Sequence, residues 1–395
     1  MAPEGFLWGF WVPRRAFACH RAGPGRHATD PVPEPILNLT MNHRSVCLMS
    51  LRRRGSAAVA LAVAAALSLA ACGSGDSDSG SGSGKSDNGA GSKSVATGGE
   101  DFAKAAEETA KMGTTAKAGE FPRTIEHAMG ETELKAEPKR VVVLDVGELD
   151  NVVSLGVQPV GWAPTEGSAG IPSYLKKDAG SPKDVGTINA LNLEAIAGLK
   201  PDLILGSELR AAKLYPQLSK IAPTVFSIRP GFTWKENYLL NAAALDRTAE
   251  AKTQLAAYEK KAKALGDELG PDKPTVTMLR YLPGMIRLYA KASFIGTILE
   301  DVGIPRPRNQ QINDLAAEIS PEKIDDADAD WIFTGVYGDA KKTDRATAED
   351  NPLWKKLGAV QDGQAKDVPD ETWYLGLGVT AAGEVLDDLK GFLAK

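Results

Sequence analysis

The chain has 395 residues, with 46 Lys+Arg against 51 Asp+Glu, a formal charge of −5, three cysteines and four histidines. Its acidic balance argues against nucleic acid as a partner. The length leaves room for more than one cored domain.

In chain order, residues 52–72 form the first recognisable unit. Arg52, Arg53 and Arg54 precede an Ala-rich apolar stretch, residues 56–69, about as long as the hydrophobic region of an export signal and too short for a comfortable membrane span. It ends in Leu69-Ala70-Ala71-Cys72, which resembles a lipobox, and that resemblance implies cleavage before Cys72 and lipidation of its thiol. Two acyl chains anchor stably where one is marginal. A secretory signal starts near its basic segment, yet residues 1–48 place Trp8, Trp11 and several prolines ahead of it and read as a start-site artefact; residues 49–71 read as the signal peptide. Residues 1–71 hold 8 of the 46 basic and 3 of the 51 acidic residues, so the chain from Cys72 onward carries −10. It keeps one cysteine and one histidine, His127, which excludes an intramolecular disulfide and a zinc site of His and Cys ligands.

Residues 73–99 are Gly, Ser and Asp with almost no apolar side chain, a flexible tether spanning roughly 25–30 Å. Residues 72–120 thus hold a lipidated cysteine and a tether, with a short helical pattern at 101–112. The folded body is expected from Phe121. Residues 121–232 read as an α/β lobe with a largely parallel sheet. Its signals are a doubly covered strand at Arg140-Val141-Val142-Val143-Leu144, a helix at 148–155 stopped by Gly156, a short strand at Val160-Gly161-Trp162, a helix at 209–221 and a strand at Thr224-Val225-Phe226. Thr233 and Glu236 then have capping-box spacing. Leu240, Ala244, Thr248, Ala251, Leu255, Tyr258, Ala262, Leu265 and Leu269 fall on one helical stripe ended by Gly270-Pro271. Residues 233–270 therefore read as a connecting helix, on the order of 50 Å if unbroken, with a break near Leu245-Asp246. Residues 271–395 form a second α/β lobe. Strands at 275–279 and 285–289 flank the Pro283-Gly284 turn, a helix at 293–302 stops at Gly303, and an amphipathic helix closes the chain at 380–393.

One unit occurs twice. Asn192, Glu194, Ile196 and Asp202 share their spacing with Ser320, Glu322, Ile324 and Asp330, and an apolar triplet follows each Asp. Each copy reads as a short helix leading into a buried strand, with Glu194 and Glu322 at equivalent helix starts in separate lobes. In the 285–289 strand, alternation puts Met285, Arg287 and Tyr289 on one face, opposite Ile286 and Leu288. An arginine there requires a partner or a ligand. Arg280 ends the preceding strand, where ligands of α/β sheets sit. Pairing with a carboxylate explains a single arginine equally well; two beside Tyr281 and Tyr289 favour a ligand. Trp162, Trp234, Tyr337, Trp373 and Tyr374 fall at strand ends or in loops, where aromatics line clefts or anchor lobes. The chain has no G-x-S-x-G elbow, Cys–His pair or phosphate loop. Asp325, Asp326, Asp328 and Asp330 lack the Gly and Glu of a calcium loop.

Taken in order, residues 140–161, 192–206, 218–225, 278–307 and 351–376 resemble the iron-siderophore substrate-binding lipoproteins of ABC importers, the group that includes the vitamin B12 binder. The resemblance runs from about Phe121 to the C-terminus. It implies two Rossmann-like α/β lobes joined by a long rigid helix, with a ferric siderophore held between them. The siderophore would supply every iron ligand, with no cofactor, no protein metal site and no turnover. The resemblance further implies a monomer, lipid-anchored on the outer membrane face of a Gram-positive, actinobacterial cell, that delivers to an ABC permease and its ATPase. Glu194 and Glu322 match the two permease-docking positions. Arg280, Arg287 and Tyr289 are expected in the second lobe's wall and Arg210 opposite them. Trp234, Tyr337, Trp373 and Trp162 are further ligand contacts. Few basic residues fall at the expected cleft positions, which favours a hydroxamate over a catecholate siderophore; haem and cobalamin are the other alternative ligands. The competing classes are a surface enzyme acting on the siderophore and an adhesion lipoprotein.

Overall fold

The computed structural model describes residues 102–394 apart from 167 and 169. Residues 1–48, the signal at 49–71, Cys72 and most of the tether lie outside the described residues. The folded body begins ahead of Phe121. Helix α1 (Phe102–Thr109) buries Ala105, and Gly113 exchanges backbone hydrogen bonds of 2.9 and 2.8 Å with Glu126. Glu126 lies in a hairpin of β1 (Arg123–His127) and β2 (Gly130–Leu134) that turns Arg123, Ile125 and His127 inward.

The first lobe contains β3 (Val141–Val143), α2 (Val146–Ser154), β4 (Gly161–Trp162) and β5 (Lys183–Asp184). A small antiparallel pair, β6 (Gly186–Thr187) and β7 (Ala190–Leu191), leads into α3 (Leu193–Gly198). Then come β8 (Leu203–Ser207), α4 (Glu208–Ala211), α5 (Tyr215–Ile221) and β9 (Thr224–Ser227). Five strands pair in parallel in the order β5–β4–β3–β8–β9. Val141 and Val143 enter one core and Val142 and Leu144 another, which is why the run is apolar without alternation. The helix expected over 209–221 is interrupted by a 3-10 turn, Ala212–Leu214, because Pro216 suits only the first turn of a new helix.

Residues 233–270 are two helices rather than one rod. Helix α6 (Trp234–Leu245) ends at Asp246, whose φ of 59° is left-handed, and α7 (Thr248–Glu268) turns back beside it. The Tyr238 hydroxyl donates to Gln254 Oε1 at 2.8 Å across 16 residues, a separation of about 24 Å in a straight helix. The Asp246 side chain justifies the turn by accepting from Arg123 Nη2 at 2.7 Å and Gly119 N at 2.8 Å. Helix α6 packs on α2, so the connector itself is α7, about 31 Å long.

The second lobe holds β10 (Val276–Leu282), β11 (Met285–Tyr289), α8 (Phe294–Val302), β12 (Ala316–Ile319) and β13 (Trp331–Val336). Short helices α9 (Arg345–Asp350) and α10 (Gly358–Gln361), strand β14 (Ala365–Asp367), and helices α11 (Asp370–Trp373) and α12 (Val379–Leu393) complete it. Its sheet, β12–β11–β10–β13–β14, is mixed, unlike the first. The tight Pro283-Gly284 turn, with Gly284 at φ 75°, forces β10 and β11 into an antiparallel pair. Among the described residues no helix is long and apolar enough to cross a membrane.

The repeated sequence unit is repeated only in part. Asn192 caps α3 through Ala195 N at 2.9 Å, whereas the second copy is a 3-10 helix, Pro321–Ala327, kinked at Lys323. What recurs is the aspartate. Asp202 accepts from the backbone N–H of Lys139 and Arg140, both at 2.8 Å, and Asp330 accepts from Thr275 N at 2.7 Å and its Oγ1 at 2.8 Å. Each clamps the chain entering a parallel strand to the start of its neighbour.

The lobes also meet away from α7. Asp150 of α2 accepts from Thr380 N and Ala381 N at the start of α12, both at 3.0 Å. Gly378 permits this approach, since a Cβ there would lie 2.3 Å from Asp150 Cγ. Gly378→Ala should therefore lower the unfolding free energy by about 1–3 kcal/mol in urea melts; an unchanged midpoint would mean that α2 and α12 separate without cost.

Candidate ligand-binding cavity

A cavity lies between the lobes, lined from the first by Arg210, Arg229, Pro230, Gly231 and Phe232. The second lobe contributes Arg280, Tyr289, Phe294, Ile295, Leu315, Trp373, Tyr374, Leu375 and Leu377. The polar groups come from strand ends. Arg210 follows β8, Arg229 follows β9, and Arg280 lies near the end of β10, the edge where α/β sheets present ligand contacts.

Arg280 is wholly buried. Its Nε and Nη2 donate to the two carboxylate oxygens of Asp370 at 2.6 and 2.5 Å, and Nη1 donates to the Tyr289 hydroxyl at 3.1 Å. The guanidinium also lies 4.8 Å from the Tyr337 ring centre and 5.5 Å from that of Tyr374. Burial opposes its charge, but Asp370 and Tyr289 outweigh burial and raise its pKa.

Arg210 Nε donates to Asp145 Oδ2 at 3.0 Å, and Asp145 Oδ1 accepts from Val146 N at 2.7 Å to cap α2. Arg229 faces the same space. Burial first, then the charge of Arg210, lowers its pKa to about 10, so it stays protonated at neutral pH. One turn into α2, Glu148 is buried and its Oε2 has no hydrogen-bond partner. Burial, reinforced by the neighbouring Asp145 charge, pushes its carboxyl up to about 8. The wall thus offers guanidinium groups to an anion and aromatic and aliphatic surface to an apolar body.

Four of the expected contacts, Arg210, Arg280, Tyr289 and Trp373, come together at this cavity. The others do not line it. Arg287 turns to Glu318 on β12, donating from Nε at 3.1 Å and Nη2 at 2.8 Å, the carboxylate pairing its sequence equally allowed. Trp234 is fully buried. Its Nε1 donates to Thr297 Oγ1 at 2.9 Å, and its ring meets Tyr258 and Phe294 edge-on, so it fastens α6 to α7 and α8. Trp162 is buried in the first lobe's core. Tyr337 packs behind Arg280 and sends its hydroxyl across to the Glu166 carbonyl at 2.8 Å. Arg229 and Phe232 were not singled out from sequence, although the strand-end rule that marks Arg280 applies equally to Arg229. Glu194 and Glu322 are exposed, one in each lobe, and a hydrogen bond from Ser320 holds the Glu322 carboxyl below its usual range.

Removing one partner of a buried ion pair leaves the other charge uncompensated. Arg280→Ala should cost about 3–5 kcal/mol in chemical unfolding. A loss below about 1 kcal/mol would show that Asp370 finds solvent when Arg280 is gone.

The profile of the periplasmic binding protein family matches residues 141–372. The "Probable siderophore-binding lipoprotein YfiY" of Bacillus subtilis is 37% identical over 286 residues, covering 69% of this chain and 88% of that protein. The Fe(3+)-citrate-binding protein YfmC of the same organism is 34% identical, covering 67% and 85%. The crystal structure of Staphylococcus aureus SirA complexed with staphyloferrin B superposes with a TM-score of 0.61 at 35% identity, covering 68% of this chain and 98% of that one. The two-lobed α/β fold agrees with these neighbours. The chain belongs to the periplasmic binding protein family, among the siderophore-binding proteins of ABC importers.

Proposed function

We propose that this chain captures a ferric siderophore in the cavity between its lobes and delivers it to an ABC permease for iron uptake. It acts as a monomer outside the cell membrane, held there by the lipidated Cys72. The observation that carries this reading is the convergence of Arg210, Arg229 and Arg280 on one cavity with a Tyr hydroxyl and an apolar wall. Such a lining holds an anionic chelate by charge-assisted hydrogen bonds, while the chelator keeps the iron. The hydroxamate preference drawn from sequence rested on a shortage of basic residues at the cleft. In the structure Arg287 turns away to Glu318 and Arg229 stands at the cavity instead, so the number of arginines is unchanged, but a relative is named for Fe(3+)-citrate. We therefore favour a carboxylate-bearing ferric chelate.

Tryptophan fluorescence should show saturable quenching by ferric citrate or ferric staphyloferrin B and none by haem or cobalamin. Preferential binding of ferrioxamine would restore the hydroxamate class. Binding of none of these iron chelates would overturn the reading. Glu194 and Glu322, exposed on separate lobes, are the proposed permease contacts. Glu194→Ala/Glu322→Ala should keep ligand affinity and lose uptake; undiminished uptake would refute the docking role.

A further inference from the structure

We propose that Glu148 is a positioning residue whose proton sets how strongly Arg210 attracts an anion in the cavity, so that ligand capture is linked to proton uptake. The proposal rests on the anionic-chelate reading of that cavity. Its basis is geometric. Glu148 is only 2% exposed, and its Oε2 lacks a hydrogen-bond partner. It shares the first turn of α2 with the capping residue Asp145, which holds the cavity-lining Arg210 at 3.0 Å. Asp145 and Arg210 are the charged groups acting on it. The other elements packed on α2 add little charge beside it. The buried polar side chains of α6 are Asn237, Tyr238 and Asn241, and β3 is three valines. The start of α12 gives its N–H groups to Asp150, while Asp387 and Asp388 farther along pair with Lys261 and the Trp373 indole.

With Glu148 protonated, Asp145 is the one carboxylate competing with a ligand for Arg210 in this cluster. When Glu148 ionises, a second negative charge appears behind Arg210 and repels an anionic chelate. An anion in the cavity in turn favours the protonated carboxyl, which takes its proton from solvent. Affinity therefore falls as pH rises through the titration of Glu148.

The test is titration calorimetry with ferric citrate and ferric staphyloferrin B from about pH 7 to about pH 9, in paired buffers of different ionisation enthalpy. Wild type should lose roughly tenfold more affinity across that range than Glu148→Gln. It should also take up more protons on binding, the chelate's own protonation being common to both. Binding by wild type with identical slopes and proton uptake in the two proteins overturns this proposal alone. Failure of wild type to bind either chelate overturns the cavity reading and this proposal with it. Should Glu148→Gln fail to fold, carbon-13 NMR of glutamate-labelled wild type replaces it. The midpoint of the Glu148 carboxyl, pushed up to about 8 by burial, should move upward on adding diamagnetic gallium citrate, and an unmoved midpoint with bound ligand overturns the proposal.

Discussion

A guanidinium with no exposed surface is the constraint around which the second lobe is arranged. Arg280 is tolerable inside β10 only because Asp370, Tyr289, Tyr337 and Tyr374 surround it, and these come from α11, β11, the end of β13 and the loop after α11. Those partners impose further conditions. Position 335 on β13 must be glycine, because a Cβ there would lie 2.4 Å from the Tyr374 ring and 3.1 Å from Asp370 Oδ1. With the ring in that space, the Tyr374 hydroxyl reaches the carbonyls of Leu279 and Phe333 at 3.0 and 2.9 Å, joining the neighbouring strands β10 and β13. One buried charge thereby accounts for the position of α11, the glycine in β13 and the polar end of the cavity.

The first lobe solves the same problem with different residues. Arg210 is held by Asp145, which also caps α2, so the group that balances the charge is fixed by the helix it begins. The lobes are then joined by polar contacts at several depths. Lys235 and Tyr258 both reach Asp301 at 2.8 Å, Trp234 reaches Thr297, Tyr337 reaches Glu166, and Ser173 donates to Glu371. A cavity whose walls are already tied together loses little conformational freedom when a ligand enters. This favours a rigid binding site over a wide hinge motion.

Much of this was legible in the sequence, and the exceptions share a physical cause. Continuous apolar runs gave β3, β8 and β13; Pro283-Gly284 gave the β10–β11 turn; Ser293 and Gly303 gave both ends of α8. The β1–β2 hairpin escaped because Arg123 and His127 occupy two of its buried positions. The break at Leu245-Asp246 was expected, but not that the chain reverses there, because the apolar stripe continues in phase on both sides and what stabilises the turn is Arg123, more than a hundred residues earlier. Arg280 and Arg287 face each other across an antiparallel pair and carry the same local signal. Their fates differ because Glu318 happens to lie opposite Arg287 on β12, whereas the partner of Arg280 arrives from residue 370. Local pattern locates buried charges; it does not say which of them a distant chain segment will neutralise. Trp234 misled for a similar reason, since its neighbours on α7 and α8 are invisible from position 234.

The loop from Tyr374 to Gly378 is where recognition and lobe contact coincide. Leu377 lines the cavity with a φ of 54°, a left-handed conformation that costs a β-carbon residue about 1–2 kcal/mol. Neighbouring packing holds it there. A Cβ at Gly376 would lie 2.2 Å from that of Ala381, and one at Gly147 would lie 3.2 Å from the Leu377 carbonyl. Two residues later the chain enters α12, whose first N–H groups are gripped by Asp150 from the other lobe. A chelate resting on Leu377 thus touches the segment that sets the distance between α2 and α12. Glu148 and Asp150 stand on that same α2, one in the turn that begins at Asp145, the partner of Arg210, and the other at the lobe junction. The first lobe therefore fixes a cavity-lining arginine and holds its neighbour through a single nine-residue helix.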